Sequence, residues 1–319
     1  MDNITHTLAG ALLGEMGLKR RSRFAMAACL LGANAPDLDV FAPLVLPVDG
    51  IEFHRGPMHA VFAWPVLAAG IVALLWLVDR LFPSRADAVP FRARSLFVVA
   101  FAAVLTHPFL DWLTTYAIAI FAPVTWRWYS GNAIFIVDWV YWILMISGIA
   151  LSERRWRAGL PAPGTPAKIA GILMLAYIGA NLAESSWVEA ATATTLQRRG
   201  IKPVLVVAGP PPLAFWDRTI EWRSRDQFGS GKFSPATGIE LAQAAQPIGL
   251  DSPQLMQARQ TQRYVRSFLV WSRMPIVVSI GGQKYLTDQR FYNATPIPLG
   301  TTLKKMVRRS AFLIPLDKR

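Results

Sequence analysis

Cysteine is nearly absent: Cys29 is the one thiol in 319 residues. That excludes an intramolecular disulfide and a thiolate zinc cluster. Charged side chains are also scarce, at 17% against 53% hydrophobic residues, and mean hydropathy is positive. Such a balance belongs to an integral membrane protein rather than a soluble one. No glycine-rich phosphate loop and no Gly-x-Ser-x-Gly elbow occurs, so nucleotide-loop and serine-nucleophile chemistry fit poorly. The start, MDNITHTLAGALLGEMGLKRRSR, places its basic cluster after the apolar stretch, unlike a cleavable signal peptide. Histidine is missing from the last 212 residues: all four lie at or before residue 107.

What is present is unevenly placed. The formal net charge is +13, yet residues 1–191 carry 14 Lys/Arg against 13 Asp/Glu, and residues 192–319 carry 19 against 7. The excess belongs to the C-terminal part, as a basic face beside anionic headgroups or one that gathers a phosphate-bearing substrate. No nucleic-acid-binding motif accompanies it.

A membrane helix needs about 20 mostly apolar residues. Segments 58–82, 94–121, 132–151 and 167–190 meet that, and 24–46 does so with Pro36, Asp37, Asp39 and Pro43 interrupting it. Such an interruption reads as a broken helix lining a polar cavity. Residues 3–18 are short for a span, giving five or six membrane segments in all. Basic connections alternate with poorly charged ones. Arg20, Arg21 and Arg23 form one basic group, Arg80, Arg85, Arg92 and Arg94 the next, and Arg154, Arg155, Arg157 and Lys168 the third; Arg55 and Arg127 stand alone between them. The positive-inside rule puts the three basic groups in the cytoplasm and the chain after residue 190 outside. From about residue 195 the texture is of short strands, at 203–208, 218–224, 275–280, 283–288 and 310–316, with a helical pattern over 252–272. The expected fold is therefore a polytopic α-helical membrane domain, residues 1–191, followed by a small α+β extracytoplasmic domain, residues 192–319.

The histidines and carboxylates of the first part carry the chemistry. Ionisable groups at membrane depth face a cavity, a partner or a pathway, and imidazole with carboxylate is a ligand set for a divalent metal. His107 and Asp111 are four residues apart, on one helical face. Asp37 and Asp39 flank Leu38 after a proline, and two such carboxylates repel unless a cation offsets them. His54 and His59 bracket Arg55-Gly56-Pro57-Met58; one can be a ligand and the other a proton carrier, with Arg55 meeting a phosphate. His6 is the weakest member by local pattern. Asp138, Glu184 and Glu189 read as helix-end carboxylates. By loop charge and helix rise, every candidate ligand falls at a similar depth near the outer face.

In this order, MDNITHTLAGALLG, NAPDLD, HRGPMHA and THPFLDWLTTYA resemble the YdjM-like family of bacterial inner-membrane proteins, described as membrane-bound metal-dependent hydrolases. The resemblance covers about residues 1–190. More distantly, the order of ligand types is similar to the zinc-dependent phospholipase C and P1 nuclease group, and that likeness implies His6, Asp37 or Asp39, His59 or His54, His107 and Asp111 as ligands. The later histidines of that group are absent here, which points to one or two Zn²⁺ ions rather than a three-metal cluster. The expected function is hydrolysis of a phosphoester, lipid-borne in one version, by metal-activated water at the outer leaflet of the inner membrane. His54 and Arg55 would assist catalysis, and membrane lipids would be the surroundings. A helix-clamping structural or regulatory metal protein and an ion or proton transporter are the alternatives. Oligomeric state is not legible.

Overall fold

A computed structural model describes residues 1–82, 89–292 and 312–316. Arg85 of the second basic connection, and residues 310–311 of the expected last strand, lie outside the described residues. The chain forms two compact units: Met1–Gly131 with Ile136–Ala180, and Asn132–Phe135 with Asn181–Arg319.

The first unit is helical. Helix α1 (Asn3–Glu15) starts at Asp2, whose carboxylate accepts the Thr5 backbone N–H at 3.0 Å. Helix α2 (Ala25–Asn34) gives way at Ala35–Phe41 to a 3₁₀ turn containing Pro36, then to the short helices α3 (Ala42–Val45) and α4 (Gly50–Phe53). The break in segment 24–46 thus falls at NAPDLD. Longer helices follow: α5 (Ala63–Leu81), α6 (Ala93–Trp112), α7 (Trp139–Arg157) and α8 (Thr165–Arg198), the last shared between the two units.

Among the described residues, four stretches are long and apolar enough to cross a membrane: Ala25–Val45, Ala63–Leu81, Ala93–Trp112 and Thr165–Arg198. Helix α1 has 13 residues, and α7 ends in Glu153, Arg154, Arg155 and Arg157, so neither joins them. The apolar run 94–121 is helical only to Trp112. Beyond it, Ile118 bridges Tyr129, and Ala117, Ile118, Ala119 and Ala122 are buried. Their apolarity serves packing rather than spanning.

Small residues let these helices approach. A Cβ on Gly32 of α2 would stand 2.8 Å from the Ala100 carbonyl oxygen and from Ala103 Cβ of α6. Without a hydrophobic drive between helices in lipid, close backbone approach of this kind is what holds them together. The three basic connections meet at one end of this unit: Arg23 pairs with Asp79 at 2.5 Å, Arg92 N–H donates to Ser22, and Lys19 pairs with Glu153 at 3.0 Å. The starts of α1 and α5 and the last turns of α6 lie at the other end.

The second unit carries a five-stranded antiparallel sheet. It runs β1 (Leu205–Gly209), β2 (Arg218–Arg223), β3 (Gln227–Ser234), β4 (Gly238–Leu241), with β5 (Gln246–Pro247) also on β3. Helices α9 (Pro253–Thr261) and α10 (Arg263–Trp271) replace the single helix expected over 252–272, because Gln262 between them is extended. A three-stranded sheet follows, β6 (Pro275–Ile280), β7 (Gln283–Asp288) and β8 (Ile314–Pro315), with the short helix α11 (Gln289–Tyr292) after β7. Ala208, Ile220 and Phe233 of the larger sheet pack with Val188, and Ile248, Ile276 and Val278 with Phe228.

Candidate metal centre

Three separate stretches converge at the end of the first unit opposite the basic connections. The 3₁₀ turn after α2 supplies Asp37 and Asp39, the turn before α5 supplies His54 and His59, and α6 supplies His107 and Asp111. His6 of α1 joins them, its ring stacked on His107 with centroids 3.7 Å apart. His6, His59, His107 and Asp111 have no exposed surface, Asp39 has almost none, and Asp37 and His54 remain partly open.

Four ligand atoms lie close together: Asp37 Oδ1, His59 Nε2, His107 Nε2 and Asp111 Oδ2. His59 Nε2 is 3.1 Å from His107 Nε2, 3.6 Å from Asp37 and 3.2 Å from Asp111; His107 Nε2 is 3.2 Å from Asp37 and 3.4 Å from Asp111. The tautomers follow from the opposite ring atoms. His107 Nδ1 donates to the Ala33 carbonyl at 2.7 Å, and His59 Nδ1 stands 3.1 Å from Asp39 Oδ2. With its proton held there, His107 Nε2 presents a lone pair, and a proton on His59 Nδ1 facing Asp39 would leave His59 Nε2 the same. Lone pairs and two carboxylate oxygens facing one another in this way would repel unless a cation lay among them.

The spacing fits such a cation. Tetrahedral Zn²⁺ with bonds of about 2.0–2.1 Å sets its ligand atoms roughly 3.3–3.4 Å apart, and the five distances above surround that value. Asp37, Asp39 and His54 form a second, more open group sharing Asp37. The Asp39 oxygens are already engaged: Oδ1 is 2.7 Å from His54 Nδ1, and Oδ2 accepts the Arg55 backbone N–H at 3.0 Å. Asp39 thus orients both histidines of HRGPMHA.

Arg55 is no lipid-facing side chain. It is buried, its Nη2 lies 2.9 Å from Asp111 Oδ1, Nη1 donates to Thr114 Oγ1 at 3.1 Å, and its guanidinium sits over the Tyr116 ring. Burial lowers its pKa from the ordinary value, opposed by Tyr116 and by the Asp37 and Asp39 carboxylates. An arginine stays charged through such a shift. Its backbone φ of +62° is left-handed, which strains a side-chain-bearing residue. That conformation turns its N–H to Asp39, while its carbonyl accepts from Ala119 N–H at 2.9 Å.

His6 stands at the margin, Nε2 3.4 Å from Asp111 Oδ1, and neither ring nitrogen has a hydrogen-bond partner among the described residues. The Met1 α-amino group packs on the same Asp111 oxygen. Asp138 lies elsewhere, capping α7 and accepting from Tyr141 N–H and Tyr177 Oη. In the second unit, Glu184 pairs with Arg218 and Glu189 accepts from Asn132 and from Ala208 N–H. Sequence patterns gave no sign of Thr114, Tyr116 or the Ala33 carbonyl. Each acts by orienting a partner distant in sequence, and no motif marks that.

The family described as YdjM inner membrane protein matches residues 1–188. A relative in Bacillus subtilis (strain 168), the uncharacterized protein YfhP, is 28% identical over 188 residues, covering 56% of this chain and 52% of its own. The chain thus spans about half the length of that curated relative. No solved structure matches. The chain belongs to the YdjM inner-membrane family.

Proposed function

We propose that this YdjM-family membrane protein is a metal-dependent hydrolase acting on a phosphoester, with a lipid-borne substrate reached from the outer leaflet. The observation that carries it is the set of four ligand atoms, three buried and that of Asp37 partly open, spaced as a tetrahedral cation would space them. Asp37, His59, His107 and Asp111 would hold Zn²⁺, with His6 beside them and one or two ions in all. A bound divalent ion would acidify water and polarise the scissile ester.

The remaining roles belong to the protein. Asp39 fixes His54 through Nδ1, leaving its Nε2 to carry a proton; His54 is 30% exposed, enough to exchange that proton with solvent. Arg55 is held by Asp111, Thr114 and Tyr116, and its buried Nε, without a hydrogen-bond partner among the described residues, would be the donor for a phosphate oxygen. The alternation of loop charge supports five or six membrane segments, with the metal site and the domain after residue 190 facing the periplasm. A reporter fused after residue 200 and active only outside the cytoplasm tests that orientation.

One observation favours a second reading, a metal that only clamps helices. Four protein ligands close a tetrahedron, as in structural zinc sites, whereas catalytic sites keep a position open. Elemental analysis beside phosphodiester turnover separates the two. Purified protein should hold metal, a His107→Ala, Asp111→Ala variant should lose it, and chelation should abolish turnover. Metal without turnover establishes the clamp, and undiminished metal in the double variant defeats the ligand set.

A further inference from the structure

Apart from the metal centre, the first unit contains an apolar groove of about 350 Å³ between α1, α6, α7 and α8. Leu12, Leu13 and Met16 form one wall, Phe109 and Leu110 the floor, and Ile172 and Leu175 the opposite wall. A single charged side chain lines it, Lys168, in the first turn of α8. Lys168 is exposed, and its ammonium makes no hydrogen bond or ion pair among the described residues. Four other cations at this end are engaged, whereas Arg21 and Arg154 are exposed and line no part of the groove. Lys19 pairs with Glu15 and Glu153, Arg20 lies over the Trp156 ring, Arg155 donates to the Pro161 carbonyl, and Arg157 pairs with Glu153.

The backbone at the start of α8 offers no competing anion site. Thr165 N–H donates to the Ala162 carbonyl, Ala167 N–H to Ser152 Oγ, Lys168 N–H to the Gly164 carbonyl, and Pro166 has none. The charged donor at this helix end is therefore the Lys168 ammonium.

We propose that this groove holds one acyl chain of an anionic phospholipid whose phosphate is bound by Lys168. The direction fits a lipid. Lys168 sits at the end where the basic connections meet, and Leu175 lies seven residues further along α8, roughly 10 Å at 1.5 Å per residue. A headgroup at Lys168 therefore puts its chain along the groove towards the bilayer interior. Neither a free anion nor an uncharged hydrocarbon uses both features, whereas an anionic lipid uses each. The groove's volume falls in the range of small-molecule sites, about 300–1,000 Å³.

The test is native mass spectrometry of the detergent-purified full chain, titrated with phosphatidylglycerol or phosphatidylcholine of identical chains. The first phosphatidylglycerol should bind about fivefold more tightly, the effect of one basic residue on an anionic headgroup. Lys168→Gln should erase that preference, and Ile172→Trp, which narrows the groove, should weaken both lipids. Arg154→Gln, at a basic residue outside the groove, should leave the preference intact. Equal binding of the two lipids, or a preference that survives Lys168→Gln, overturns the proposal. So does an equal Lys168-dependent stabilisation by inorganic phosphate, which would make the site one for a free anion.

Discussion

The two units bury charge in opposite ways. In the C-terminal unit, Arg218 is 1% exposed yet its guanidinium reaches Ser185, the Asn181 side chain, Glu184 and the carbonyls of Phe215 and Asp217. Asp288 of β7 meets Arg290, Ser272 and the Met274 N–H. Burial alone would raise the Asp288 carboxyl; the Arg290 guanidinium and those hydrogen bonds reverse it and leave it below its ordinary value. In the helical unit the buried charges are left partly unanswered. Among the described residues, both His6 nitrogens, Asp111 Oδ2 and Arg55 Nε have no hydrogen-bond partner, and Asp111 Oδ1 meets only the Arg55 and Met1 cations and the His6 ring. Donor matched to acceptor is the mark of a group that holds a fold together, whereas acceptor facing acceptor marks a place for something added.

That contrast is open to direct attack. Arg218→Met should cost the most, about 3–5 kcal/mol of stability, because removing one partner strands the others in the interior. It should leave metal content unchanged. Thermal unfolding alongside elemental analysis checks both halves, and loss of metal in this variant would blur the distinction between the units. Asp39→Asn should do the reverse. With the carboxylate that orients His54 and His59 replaced by an amide, metal affinity should fall about 10–100-fold, as for other residues that position a ligand. A competition titration with a chromophoric chelator reads this directly.

Much of the site was legible because its residues are chemically out of place. Histidine and aspartate in apolar runs stand out, so His107 and Asp111 could be singled out without coordinates, with Asp37 or Asp39 and His59 or His54 left as alternatives. Arg55 was half legible: its sequence neighbours invite a phosphate role, but only the fold shows Asp111 and Thr114 holding it. Apolar patterning was a poorer guide to helix ends. Residues 113–121 look like more of α6, yet they turn back to pack beside Arg55, and Ala119 donates its N–H to the Arg55 carbonyl. In the C-terminal unit β1, β2 and β6 were marked by their β-branched residues and β7 by Tyr285, Leu286 and Thr287 after a Gly-Gly turn, while β3 was hidden by its glycines. A Cβ on Gly229 would stand 2.5 Å from the Trp222 ring, so glycine there admits a cross-strand indole rather than marking a loop.

The finest test of acceptor facing acceptor lies at Asp37, the most exposed of the four ligands, whose close ionic contacts among the described residues are with the His59 and His107 rings. An amide in place of its carboxylate removes one negative charge and supplies N–H donors to the His59 and His107 lone pairs. Chelator-treated Asp37→Asn should therefore be more stable than chelator-treated wild type by about 1 kcal/mol, the net worth of one hydrogen bond. With metal restored the order should invert, because wild type gains more from the ion it binds more tightly. A crossing of the two melting curves between chelated and metal-loaded protein is the signature of a ligand. A variant less stable than wild type in both conditions would instead make Asp37 a structural partner of the two rings, like Asp288 beside Arg290.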